Sequence, residues 1–287
     1  AIAFTVVGRD FTTVLQQSFA SWIRSGQRVA SATTELGVDE SVDVIDWAVD
    51  ESAAPVEAEL TWMRNSRGPE PGLYVSALSS DLAERGPWSD NPEGWFIAGY
   101  GPFRRLSGHV PDAQRLRAGP SRASRLVSLF REDASLVESI QWLKELHLRR
   151  LEKREGAAEL LQRVLDLLND GLLPGSTKVS SFDSDGLWVT QGDVTLPLQE
   201  LSDGYRTMAA LVMDLVRQID EASEGLTVDR ENGKCRILYP GVVLIDEVEL
   251  HLHISWQQKI GFWLKEHFPN IQFIVTTHSP FVCQAAD

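Results

Sequence analysis

Cysteine is scarce in this chain. Cys235 and Cys283 offer at most one bridge and no closely spaced metal-ligand pair, which excludes a disulfide-stapled scaffold and fits a reducing compartment. No apolar run approaches the roughly 20 residues that a membrane-crossing helix needs, and no secretory leader pattern is visible. A cytoplasmic location is the expectation. Positive charge is also in short supply. With 27 Lys and Arg against 41 Asp and Glu, the net charge is −14, so the surface as a whole repels polyanions. Any grip on nucleic acid must therefore be local. What remains, 43% hydrophobic and 24% charged over 287 residues, is a globular composition long enough for a large core, as one or two domains.

Three stretches carry chemistry. In Gly241-Val-Val-Leu-Ile-Asp-Glu-Val-Glu249 the apolar run 242–245 does not alternate. It therefore reads as a strand buried on both faces, as in a parallel sheet covered by helices. Asp246 and Glu247 emerge at its C-terminal end, where open α/β sheets bind ligands. Adjacent carboxylates there suit a metal–phosphate site: one can hold Mg²⁺ and the next can polarise an attacking water. The same string also fits a strand that runs into an exposed acidic turn. Downstream, 270–280 repeats the pattern, a buried run ending in Thr276, Thr277 and His278. If the two strands are parallel, His278 lies on the same edge as Asp246 and Glu247. Upstream, Leu201-Ser-Asp-Gly-Tyr-Arg206 opens an amphipathic helix with Met208, Leu211, Val212, Leu215 and Ile219 at helical spacing. Ser202 is a good N-cap, and Gly204 leaves the first-turn amides open to an anion. Taken alone, the piece reads better as an ordinary capped helix.

In this order the three pieces resemble the ABC-type ATPases of the SMC/RecF/OLD-like class. LSDGY is similar to the signature motif, VVLIDE to the Walker B strand and TTHSP to the switch-histidine segment. The strings IDEVELHLH and FPNIQFIVTTHSP resemble the stand-alone AAA/ABC-like ATPases of bacteria, many of which serve antiphage defence or partner a nuclease. The resemblance is close over roughly the last 90 residues. It implies an α/β fold: a P-loop NTPase head of ABC type, with an antiparallel β-lobe and an inserted helical arm. It implies ATP and Mg²⁺ as ligands, with Asp246 supporting the metal, Glu247 as general base and His278 sensing the γ-phosphate. Ser202, Asp203, Gly204 and Tyr205 would meet the γ-phosphate held by an opposite subunit, in a head-to-tail homodimer or higher oligomer. DNA or RNA and a nuclease are implied as partners. A non-hydrolysing interaction module, or the ATPase part of an OLD-like nuclease, is the rival reading.

Two departures stand out. No G-x-x-x-x-G-K-[ST] occurs; the nearest imitation, 171–178, has the wrong order and follows a helix pattern. Residues 1–8 read either as a strand or as a helix tail ending at Gly8. The resemblance favours the tail of the helix that follows a phosphate loop, so ATP hydrolysis is expected on condition of a Walker A upstream of residue 1. Without an initial Met and with a stop just after a strand, both ends read as cut from something longer. Nor does a Gln follow the strand at 95–99, where ABC ATPases carry a Mg²⁺-sensing glutamine.

The expected division is 1–100 as post-P-loop helix and β-lobe, 101–176 as Arg-rich loop and helical arm, and 177–287 as the signature, Walker B and switch-histidine part. Within it, 11–23 reads as an amphipathic helix and 41–49 and 56–62 as half-exposed strands. Residues 134–154 and 157–169 read as helices, and 177–182, 186–190 and 194–198 as a meander. Residues 221–236 read as a polar surface insertion and 256–268 as one helix. Arg104, Arg105, Arg115, Arg117, Arg122 and Arg125 cluster against the acidic background, suited either to the phosphates of a nucleic acid or of the nucleotide, or to a solvated loop or dimer contact. Glu249, His251 and His253 contain a zinc-like fragment, but no further Cys or His completes a set. Their position favours the loop that crosses the dimer interface.

Overall fold

A computed structural model describes the chain except for residues 17, 46–54, 66–69, 76–79, 90, 91, 103, 105–120, 132–135, 174, 184, 185, 224, 225, 227, 232 and 287. The element order is α1 (Ile2–Leu15), β1 (Val29–Leu36), β2 (Val56–Met63), β3 (Gly72–Val75), α2 (Ser80–Arg85), β4 (Ile97–Tyr100) and α3 (Ser121–Phe130). Then follow α4 (Val137–Leu151), α5 (Ala157–Asn169), β5 (Lys178–Asp183), β6 (Gly186–Gln191), β7 (Val194–Pro197) and α6 (Asp203–Ala222). The chain closes with β8 (Val228–Glu231), β9 (Lys234–Ile237), β10 (Gly241–Ile245), α7 (Ile254–Gln257), α8 (Ile260–His267) and β11 (Ile271–Val275). Among the described residues no helix is long and apolar enough to cross a membrane.

The fold is α/β, and its organising layer is a parallel sheet in the order β11-β10-β4. Ile245 is in register with both Val275 and Tyr100, so the three strands end level. The lack of alternation in β10 now has its reason. Val243 and Ile245 face one core and Val242 and Leu244 the other. The first core is built with α4, α5 and α6, the second with α1, α3 and β2. Gly99 and Gly101 admit α3 against β4. A Cβ on Gly99 would lie 2.7 Å from Leu126 Cδ2, and one on Gly101 2.3 Å from the Ser128 carbonyl oxygen.

The antiparallel sheet β1-β2-β3 shows the alternation expected of a sheet with one solvated face. Val56, Ala58, Leu60 and Trp62 are buried, and α1 packs on this sheet. The second antiparallel sheet, β5-β6-β7, runs into α6 through a short 3₁₀ turn at Leu198–Glu200.

Several local readings change. The helix expected at 11–23 ends at Leu15, because Gln16 turns extended. Phe19 and Ile23 are still buried, but from turns. Gly8, at φ 81, breaks α1 into two pieces, as a left-handed glycine does. The strand expected at 41–49 is absent where it is described: 41–45 are turn and coil, and 46–49 lie outside the described residues. Strand β1, rich in Ala, Ser and Thr, was not foreseen. The insertion at 221–236 contains the end of α6 and the hairpin β8–β9, whose Cys235 is buried. The helix at 256–268 is two, α7 and α8.

One buried polar network joins α6 to the sheet. Asp214, fully buried, pairs with Arg217 at 2.9 Å and accepts a bond from the Gln218 side-chain amide. The same amide reaches the Tyr100 hydroxyl at 3.1 Å. Removing Asp214 takes the buried acceptor from the Gln218 amide and leaves Arg217 paired with the more exposed Glu221 alone, at 2.8 Å. Asp214→Ala is therefore expected to lower stability by about 2 kcal/mol or more, read as a shift in the denaturant midpoint. A shift worth less than about 1 kcal/mol would place the pair with surface salt bridges.

Candidate active site

The level strand ends bring three polar turns together. The Asp246 N–H reaches the Tyr100 carbonyl at 2.8 Å, and the Thr276 N–H reaches that of Ile245 at 2.9 Å. Thr276 then bridges the two carboxylate-bearing residues. Its hydroxyl accepts the Glu247 N–H at 2.8 Å and donates to Asp246 Oδ1. Three residues on, Glu249 ties the β10 turn to the β11 turn. Its carboxylate accepts the Thr277 hydroxyl at 2.6 Å and the His278 N–H. Burial pushes the Glu249 carboxyl up, but these hydrogen bonds outweigh it and hold the group below the usual carboxylate range. Asp246 and Glu247 are half-exposed and His278 is exposed, so all three stand open to a ligand. Glu247 has φ 46, a left-handed conformation uncommon outside glycine.

Beneath this turn lies Arg104, only 2% exposed. Its Nη1 donates to the carbonyls of Gly101 and Asp246, both at 3.0 Å, and its Nη2 to those of Glu247 at 3.1 Å and Val248 at 3.3 Å. Burial lowers its pKa to about 10, against the opposing fields of Asp246, Glu249 and Glu247, so it remains charged at neutral pH. For three of the six clustered arginines, burial puts a structural role in place of the nucleic-acid reading. Arg104, Arg122 and Arg125 are all buried. Arg122 donates to the Ser89 carbonyl at 2.6 Å and stacks over Phe11, and Arg125 stacks over Phe96. None of the three presents a surface charge to a polyanion. Arg105, Arg115 and Arg117 lie outside the described residues.

The second half of the expected site forms a separate open depression. It is lined by Ser202, Asp203, Gly204, Tyr205, His251, Leu252, His253 and Trp256. Ser202 has the extended N-cap conformation of α6, although its side chain makes no capping bond. Asp203 pairs instead with Arg206, which also donates to the Gln199 carbonyl at 2.9 Å. A Cβ on Gly204 would lie 2.4 Å from the His251 carbonyl oxygen, so glycine is what lets the helix start touch the loop after β10. The zinc-like fragment has other duties. Glu249 turns toward β11, and the His253 ring caps α7 by accepting the Ser255 N–H at 3.3 Å.

The bridging role of Thr276 and the clamp role of Arg104 have no place in the sequence reading. A hydroxyl residue directly after a buried strand was the only trace of the first. The second had no local signal.

The chain belongs to the family described as "AAA domain, putative AbiEii toxin, Type IV TA system", whose model covers residues 124–284, more than half of the chain. "Retron Ec83 probable ATPase" of Escherichia coli is 46% identical over 101 residues, 35% of this chain and 17% of that protein. "Septu protein PtuA" of Bacillus thuringiensis is 32% identical over 119 residues, 40% of this chain and 28% of that protein. The chain thus spans less than a third of these relatives' length. Among solved structures, "Crystal structure of the SmcHead bound to the C-winged helix domain of ScpA" aligns with TM-score 0.49 and 14% identity, covering 100% of this chain and 79% of that one.

Proposed function

We propose that the chain is the catalytic head of an ATPase that hydrolyses ATP at the edge formed by Asp246, Glu247 and His278. The observation that carries this reading is the Thr276 bridge, which holds two carboxylate-bearing residues side by side at level strand ends. Asp246 offers a hard oxygen with a hydroxyl beside it, a donor set that fits Mg²⁺ held partly through its waters. Mg²⁺ bound there would supply charge neutralisation at the phosphates. Glu247 takes the proton of the attacking water, and His278 meets the terminal phosphate. Ser202, Asp203, Gly204 and Tyr205 face a second subunit's nucleotide in a head-to-tail dimer. Residues 1–100, 101–176 and 177–287 serve as β-lobe, arm and motif-bearing part. The setting is a nucleic-acid-directed process of the antiphage-defence or DNA-repair kind, in the cytoplasm, beside a nuclease. That setting rests on the resemblance carried by IDEVELHLH and FPNIQFIVTTHSP.

Thr276→Val in the full-length protein tests the reading. It removes the hydroxyl but keeps the β-branched shape, and is expected to lower ATP turnover about tenfold or more, because unmaking one orienting bond in a preorganised site costs about that much. Thr276→Ser should restore most of it. Phosphate release that is undetectable in the parent, or equal in parent and Thr276→Val, would overturn the reading.

A further inference from the structure

Resting on the assignment of Glu247 as the base, we propose that Arg104 is a positioning residue that holds the Asp246–Glu247 turn in its reactive shape. The geometry is specific. One buried guanidinium collects three successive carbonyls of the turn, those of Asp246, Glu247 and Val248, and ties them to Gly101 at the end of β4. No carboxylate oxygen accepts from it in these bonds, so the side chain is spent on backbone shape. Its Nε finds no partner among the described residues, and a cation in that position is costly to keep. Lining up three successive carbonyls on one side is an unusual backbone demand, and the left-handed φ of 46 at Glu247 is where the turn meets it. Strain of this kind persists only where the surroundings over-determine it. Arg104 supplies that determination. The planar fork serves two carbonyls from Nη1 and two from Nη2 in a fixed geometry, a span that a lysine's single ammonium nitrogen does not cover. The arginine stands just beyond β4, on the same sheet edge as the carboxylates, so the β4 and β10 turns move as one body.

The test uses the full-length protein with Arg104→Gln and, as the variant that keeps a buried cation and the fold, Arg104→Lys. Amide exchange across 246–250 should speed up about tenfold in both variants relative to the rest of the sheet, since the clamped turn opens locally. Turnover should fall about tenfold or more, while nucleotide affinity moves less than about threefold, the pattern of a lost transition-state contact. In a Glu247→Gln background, Arg104→Gln should cost nothing further, because both lesions act through one carboxylate. Unchanged exchange at 246–250 in both variants would sink the clamp, whatever turnover does. So would faster exchange across the whole sheet with affinity and turnover falling together, which describes an ordinary core residue. If Glu247→Gln alone turns over like the parent, the assignment of the base fails, and the exchange data still judge the clamp.

Discussion

Glu247→Gln in the full-length protein is expected to bind ATP and self-associate on it while turning over at least about 100-fold more slowly than the parent, the loss general-base catalysis predicts. The substitution is nearly isosteric and leaves untouched what holds the turn. The Glu247 N–H still meets Thr276, and the Glu247 carbonyl still meets Arg104. Only the proton acceptor is lost. Asp246 keeps its bond from Thr276, so metal and phosphate binding should survive. Phosphate release separates this outcome from its rivals. Equal rates would remove Glu247 from the chemistry. A parallel loss of nucleotide binding would make it a binding group instead.

The parts of this site that the sequence announces are those where burial dictates composition. Strand β10 is sandwiched between two cores, so its run of Val, Leu and Ile does not alternate; β11, though only half-buried, is apolar but for Gln272, and the polar residues that follow mark both strand ends. Helix α6 is buried on all sides from Thr207 to Val216, so it reads as a long, nearly continuous apolar run whose length marks it as a helix. Strand β1 escapes because neither of its faces is deeply buried, so Ala, Ser and Thr suffice and no hydrophobic period appears. Arg104 misleads for the opposite reason. Arginines are mostly exposed, and a cluster of them reads as surface charge. Only the fold reveals that four backbone carbonyls converge on this one.

Ser202→Arg should also abolish turnover. Ser202 and Asp203 are exposed at the start of α6, and Gly204 presses the helix start onto the His251 carbonyl. An arginine at 202 would fill the depression beside Tyr205 and His253 and block whatever enters from outside. If that visitor is the phosphate end of a nucleotide held by another subunit, the two lesions belong to different active sites. The deciding measurement is phosphate release from a mixture of full-length Ser202→Arg and Glu247→Gln subunits, each inactive alone, with subunit exchange verified. A composite head-to-tail site predicts that turnover returns in part, because each mixed dimer then holds one site with both lesions and one with neither. A mixture that stays dead would contradict the account, since every site would then carry a lesion of its own.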